Sequence, residues 1–140
     1  MQNILNCACG DRLATVAPLV LRVVTGLIFL MHGWQKFAGG LDGVTGFLGT
    51  LGFPAPAVFA VLLIAAEVIG GALLILGLFT HWVAKILAVV ALIALLTAHV
   101  TKGFFVSEGG YEFALLLFAA CVSVAITGAG RWSLDSVWRK

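Results

Sequence analysis

Four apolar stretches take up most of this 140-residue chain, and their length leaves few folds open. Leu13 to Met31 carries one charge, Arg22, and Ala55 to Thr80 carries one, Glu67. Trp82 to Thr101 has Lys85 near its start, and Phe113 to Gly130 has no charge. At about 1.5 Å per helical residue, stretches of this size cross a hydrocarbon core of roughly 30 Å. The runs are continuous, which excludes the alternating pattern of barrel strands. Backbone groups in lipid must satisfy one another, so continuous apolar runs mean helices.

Composition supports that class. The chain is 62% hydrophobic and 10% charged, with a mean hydropathy of +1.16, whereas soluble domains carry about 25% charged residues. The net charge of +2 is too small to argue for nucleic acid. The expected fold is all-α: one integral membrane four-helix bundle over residues 13–130. Its spans lie near 13–35, 55–79, 82–101 and 111–128, with a tail at 1–12 and an interfacial tail at 131–140. The first span exceeds the ~7–15 apolar residues of a signal peptide. Gly39 to Pro56 carries apolar residues at spacings of three and four, which suits a short interfacial helix.

Basic residues set the orientation. Four spans place both termini on one side, with Arg12, Lys85, Arg131, Arg139 and Lys140; Lys36 and Lys102 fall on the other. The expectation is a multi-pass membrane protein with both termini cytoplasmic and the lipid bilayer as its solvent.

The polar residues inside the spans are the site candidates. A charge at the centre of a span costs about 2.5–3.5 kcal/mol on insertion scales. Counting helical rise from the span ends puts Arg22 and Glu67 at similar depth, which predicts an ion pair between neighbouring helices. Such a pair fixes helix rotation, handles protons or substrate, or does both. A second group gathers at the opposite end: His32 and Lys36 on span one, His99 on span three, and Tyr111 and Glu112 on span four. Their depths match, so His32, His99 and Glu112 are expected to converge. Such a set suits a metal ion, a proton relay or a quinone carbonyl, although no paired-ligand motif commits it to metal. Cys7 and Cys9 form a C-x-C in the tail, and Cys121 lies in an apolar span; neither is expected to carry chemistry.

Several ordered motifs go beyond composition. They are Leu21-Arg22 leading to Thr25-Gly26-Leu27-Ile28-Phe29 and His32-Gly33-Trp34-Gln35-Lys36; Leu51-Gly52-Phe53-Pro54; and Glu67-Val68-Ile69-Gly70-Gly71 with Leu76-Gly77-Leu78-Phe79-Thr80. Gly110-Tyr111-Glu112 and Gly128-Ala129-Gly130-Arg131-Trp132-Ser133-Leu134-Asp135 complete the set. Over about residues 15–136 the chain resembles the DoxX family of small bacterial membrane proteins, with Ala129 where the family pattern usually has proline. The resemblance implies a four-helix membrane protein described as an oxidoreductase subunit. Some relatives look like parts of quinone-linked sulfur-compound oxidation or of membrane thiol-redox complexes. It places Arg22, Glu67, Tyr111 and Glu112 on family motifs.

Two functions follow as expectations. One is a membrane subunit of a quinone-linked thiol or sulfur-compound redox system, with Arg22, Glu67 and Glu112 as catalytic groups and His32, Lys36, His99 and Tyr111 as cofactor-binding groups. It needs a redox or thiol-handling protein partner, a bound quinone itself, or thiols, because the chain shows no haem, iron–sulfur or nucleotide motif. The other is a non-enzymatic membrane partner, anchor or solute-permeation protein. Homo-oligomerisation is compatible with both.

Overall fold

A computed structural model describes residues 16–138. The tail with Cys7 and Cys9, the expected first residues of span one, and Arg139 and Lys140 lie outside the described residues. The described residues form helices and no strand. In chain order they are α1 (Ala17–Ala38), α2 (Leu41–Thr50), α3 (Pro56–Leu76), α4 (Thr80–Ala94), α5 (Glu112–Thr127) and α6 (Leu134–Trp138). A π turn, Leu95–His99, and a 3₁₀ turn, Val100–Lys102, prolong α4.

Three of these elements are long and apolar enough to cross a membrane: Ala17–Ala38, Pro56–Leu76, and the continuous helical segment Thr80–Lys102. The fourth apolar helix, α5, is shorter at 16 residues. Gly128, at φ 78, and the wide turn before Glu112 bound it at its two ends. The connection after α1 folds as the short helix that its periodicity predicted, α2, with Leu48 buried against the bundle.

Helices α1 and α3 pack most extensively, followed by α4 and α5. The core between them holds Phe29, Leu74, Val83, Leu87, Leu117, Cys121 and Val124. Large apolar side chains face outward on every long helix, among them Val20, Leu62, Ile86 and Leu116. For a chain in lipid that is the expected distribution, since outward residues meet acyl chains rather than water.

Glycines on facing surfaces set the register of α1 against α3. A Cβ on Gly71 would lie 2.6 Å from the Leu30 backbone nitrogen and 2.7 Å from the Gly26 oxygen. One on Gly33 would lie 2.8 Å from the Glu67 Cβ. The helices therefore touch backbone to backbone, as small residues allow in membranes. Gly71→Ala should force them apart and cost about 1–3 kcal/mol. Gly43→Ala in α2 meets nothing within 4 Å, and should be neutral or stabilise that helix by up to about 1 kcal/mol. Thermal unfolding of the two variants in detergent measures the contrast; equal melting would refute this account of the register.

Candidate functional site

The antiparallel register decides which polar groups meet. Gly33 lies opposite Glu67, Gly26 and Leu30 lie opposite Gly71, and Arg22 reaches Leu74 and Ile75. Arg22 and the level of Glu67 are thus separated by the eleven residues from 22 to 33, about 16 Å of helix. The expected Arg22–Glu67 pair does not form. The described helix α1 begins at Ala17, which puts Arg22 in its second turn. The glycine contacts then slide α3 so that its C-terminal turn, not Glu67, faces the arginine.

Arg22 is 1% exposed and donates to three carbonyls. Nη1 bonds the Leu74 oxygen at 2.9 Å and the Ile75 oxygen at 2.8 Å, and Nη2 bonds the Trp132 oxygen at 2.6 Å. The two α3 carbonyls belong to a helix C-terminus, where a cation is favoured. Gly77 closes that helix at φ 68, and any side chain there would strike the guanidinium. The C-terminal segment completes the latch. The Asp135 carboxylate accepts the backbone N–H groups of Phe79, at 2.8 Å, and Thr80, at 2.9 Å. It thereby caps the N-terminus of α4, which lacks a cap of its own. These contacts hold Phe79 at φ 51, a left-handed conformation costly for an aromatic residue. Arg22 therefore binds α1, the α3–α4 turn and the C-terminal segment together at one end of the bundle.

At the other end Glu67 meets Lys36. The Lys36 Nζ donates to Glu67 Oε2 at 2.5 Å. Glu67 is 6% exposed, while the lysine side chain remains partly open at 30%. A buried carboxylate needs such a partner. Gly33 makes the pairing possible, because its missing side chain leaves Glu67 room against α1.

The ion pair lines a cavity of about 120 Å³ among α1, α3, α4 and α5. His32, Lys36, Glu67 and His99 supply its polar wall, and Phe29, Phe113 and Leu117 are among its apolar residues. His32 lies against Phe113, ring centroids 5.8 Å apart. His99 is delivered by the π turn, a distortion often found at functional sites. Its Nδ1 lies 2.7 Å from the Gly109 carbonyl oxygen. The volume holds a few waters or one small ring. Among the described residues no group of three or more His, Cys, Asp and Glu could hold a metal ion.

The structure thus brings His32, Lys36, Glu67 and His99 together and leaves out three candidates. Arg22 belongs to the latch. Glu112 does not line the cavity; its Oε1 accepts the Val106 N–H at 2.6 Å. Tyr111 packs edge-on against Phe104, centroids 5.4 Å apart. Helical rise placed Glu112 at the right depth, but its rotation on α5 points it into the connecting loop. Sequence reasoning assigned Glu67 the wrong partner. The signal that could have corrected it was present, since Gly26, Gly33 and Gly71 mark where the helix backbones touch. The Trp132 carbonyl had no such signal, because a backbone acceptor leaves no mark on the side-chain pattern.

A DoxX family model matches residues 17–100. The chain belongs to the DoxX family. Of the motifs that carried the resemblance, those from Leu21-Arg22 to Gly77-Leu78-Phe79-Thr80 fall inside the match, and those at 110–112 and 128–135 lie beyond it. It also contains all four polar residues of the cavity. Among curated relatives, a Bacillus subtilis protein named "Putative oxidoreductase CatD" is 36% identical over 120 residues, covering 86% of this chain and 85% of the relative. The Escherichia coli inner membrane protein YphA is 30% identical over 125 residues, 86% of this chain and 89% of the relative. An uncharacterized membrane protein of Mycobacterium tuberculosis is 34% identical over 131 residues, 84% of this chain and 78% of the relative. No solved structure gives a significant match. This DoxX chain is accordingly a multi-pass membrane protein.

Proposed function

We propose that this DoxX protein is the membrane subunit of a quinone-linked thiol or sulfur-compound redox system, and that the cavity beside Lys36 and Glu67 takes the quinone ring. One observation carries the reading: an apolar slot walled by Phe29, Phe113 and Leu117 with His32, Lys36, Glu67 and His99 converging on it. Ligand sites combine apolar walls with a few placed polar groups in this way. The Bacillus subtilis relative's name supports an oxidoreductase role.

The chemistry balances with a partner. A dithiol on the partner loses two electrons and two protons and becomes a disulfide; the quinone gains two of each and becomes a quinol. The DoxX chain contributes the ring site and groups that exchange protons. The partner contributes the sulfur chemistry and its electrons.

The direct test is a mild purification followed by lipid extraction. Co-purified quinone that is lost in Glu67→Gln at unchanged expression supports the site. A quinone-free extract, with a protein partner retained and no quinone-dependent activity, overturns it in favour of a membrane anchor.

The cysteines should not take part. Cys121 is fully buried in the bundle core, where it cannot meet a partner's sulfur. Cys7→Ser, Cys9→Ser and Cys121→Ala together should leave quinone-dependent thiol oxidation intact in membranes containing the partner. A dead cysteine-free protein beside active Glu67 variants would move the chemistry to the thiols.

Orientation belongs to the same proposal. The start of α1, the α3–α4 turn and the C-terminal segment share one end of the bundle, through Arg22 and Asp135. The excess of basic residues at that end supports a cytoplasmic location for it. The cavity then lies toward the outer face. Reporter fusions at both termini and near Asp42 test this, and cytoplasmic accessibility at Asp42 would reverse it.

A further inference from the structure

We propose that the cavity distinguishes the two redox forms of its ligand and binds quinol more tightly than quinone, with His99 Nε2 as the discriminating atom. This rests on the quinone reading above.

The His99 Nδ1 lies 2.7 Å from the Gly109 carbonyl oxygen. A carbonyl oxygen can only accept, so Nδ1 carries the hydrogen. In the neutral ring Nε2 then holds a lone pair and is an acceptor alone. No hydrogen bond to Nε2 is present among the described residues, and His99 is one of the residues lining the cavity. A quinone offers only carbonyl oxygens, which cannot donate to that lone pair. A quinol offers a hydroxyl, which can. The Lys36 ammonium has three hydrogens and gives one to Glu67. It can donate another to either form, so it supplies affinity without selectivity.

The connection between the π turn and α5 holds the tautomer in place. Gly109 lies in a compact turn where Tyr111 N–H donates to the Gly103 oxygen and Glu112 N–H to the Phe104 oxygen. The Glu112 side chain closes the turn by accepting from Val106 N–H. Glu112 is therefore a positioning residue for His99. An amide oxygen would accept that hydrogen bond as a carboxylate does.

One gained hydrogen bond predicts about tenfold tighter binding of quinol. By linkage, tenfold raises the midpoint potential of the bound couple by about 30 mV for two electrons.

The test uses full-length protein in detergent, titrated anaerobically with a short-tailed benzoquinone and separately with its two-electron-reduced quinol. The expected result is about tenfold tighter quinol binding. His99→Asn keeps a side-chain N–H for the Gly109 carbonyl and removes the Nε2 position, and should abolish the difference. Glu112→Gln should keep it. Equal affinities, or tighter quinone, in the unmodified protein overturn the inference while leaving a quinone site, and that comparison needs no variant. Selectivity that survives His99→Asn assigns it to another group and overturns the role of Nε2. Binding of neither form removes the quinone reading itself.

Discussion

Lys36→Met with Glu67 left in place should lower folded stability in detergent by about 3–5 kcal/mol, whereas Lys36→Met with Glu67→Leu together should cost much less. The asymmetry comes from where the charges sit. Glu67 is buried against Gly33 and α1, and its described partner is the Lys36 ammonium. Removing one member of a buried pair leaves the other with its full desolvation cost; replacing both with apolar residues removes cost and attraction together. Lysine is the more forgiving survivor, because its side chain is 30% exposed and can swing to the outer surface. Lys36→Met, which strands the buried carboxylate, should therefore be the more damaging single change. Thermal unfolding of the four proteins gives the coupling energy directly. Simple additivity would show that the pair holds nothing together. Quinone-dependent activity separates the roles: a double variant that folds but has lost activity places Glu67 or Lys36 in the chemistry as well as in the fold.

What was legible in the sequence follows a physical boundary. Helix class, the long spans and the short helix α2 were readable because they depend on local composition and period, which neighbouring residues carry together. Depth was partly readable. Helical rise put His32, Lys36 and His99 near one end, and the cavity gathers them. Rotation and register were not, because they depend on which surfaces touch. The glycine contacts between α1 and α3 moved Glu67 from Arg22 to Lys36, and rotation of α5 carried Glu112 away from the cavity. The latch was the hardest to foresee. Its arginine donates to backbone oxygens, and its aspartate caps a helix 55 residues earlier in the chain. The sequence showed the Gly128 to Asp135 motif plainly, yet read it as an interfacial tail rather than the cap of α4.

Arg22→Leu should be the most destabilising single substitution at the other end of the bundle, costing at least about 3 kcal/mol. The guanidinium is buried and satisfies carbonyls on two separate segments. Each buried acceptor left without its donor costs about 1–3 kcal/mol, and the Trp132 carbonyl loses the bond that ties the C-terminal segment to α1. Arg22→Lys should recover only part of the loss, because an ammonium cannot span carbonyls that the planar fork reaches on opposite sides. Asp135→Asn should weaken the same latch less, since an amide oxygen can still accept one of the two N–H bonds at Phe79 and Thr80. The decisive measurement is the double variant with Glu67→Leu. Sites about 16 Å apart along α1 with no shared partner should add within about 0.5 kcal/mol. Arg22 and Asp135 should not add, because both act on the α3–α4 turn. Activity per folded molecule in Arg22→Lys should remain near that of the unmodified protein. A large coupling between Arg22 and Glu67, or a folded Arg22→Lys protein without quinone-dependent activity, would return Arg22 to the site and break the division of the bundle into a latched end and a reactive end.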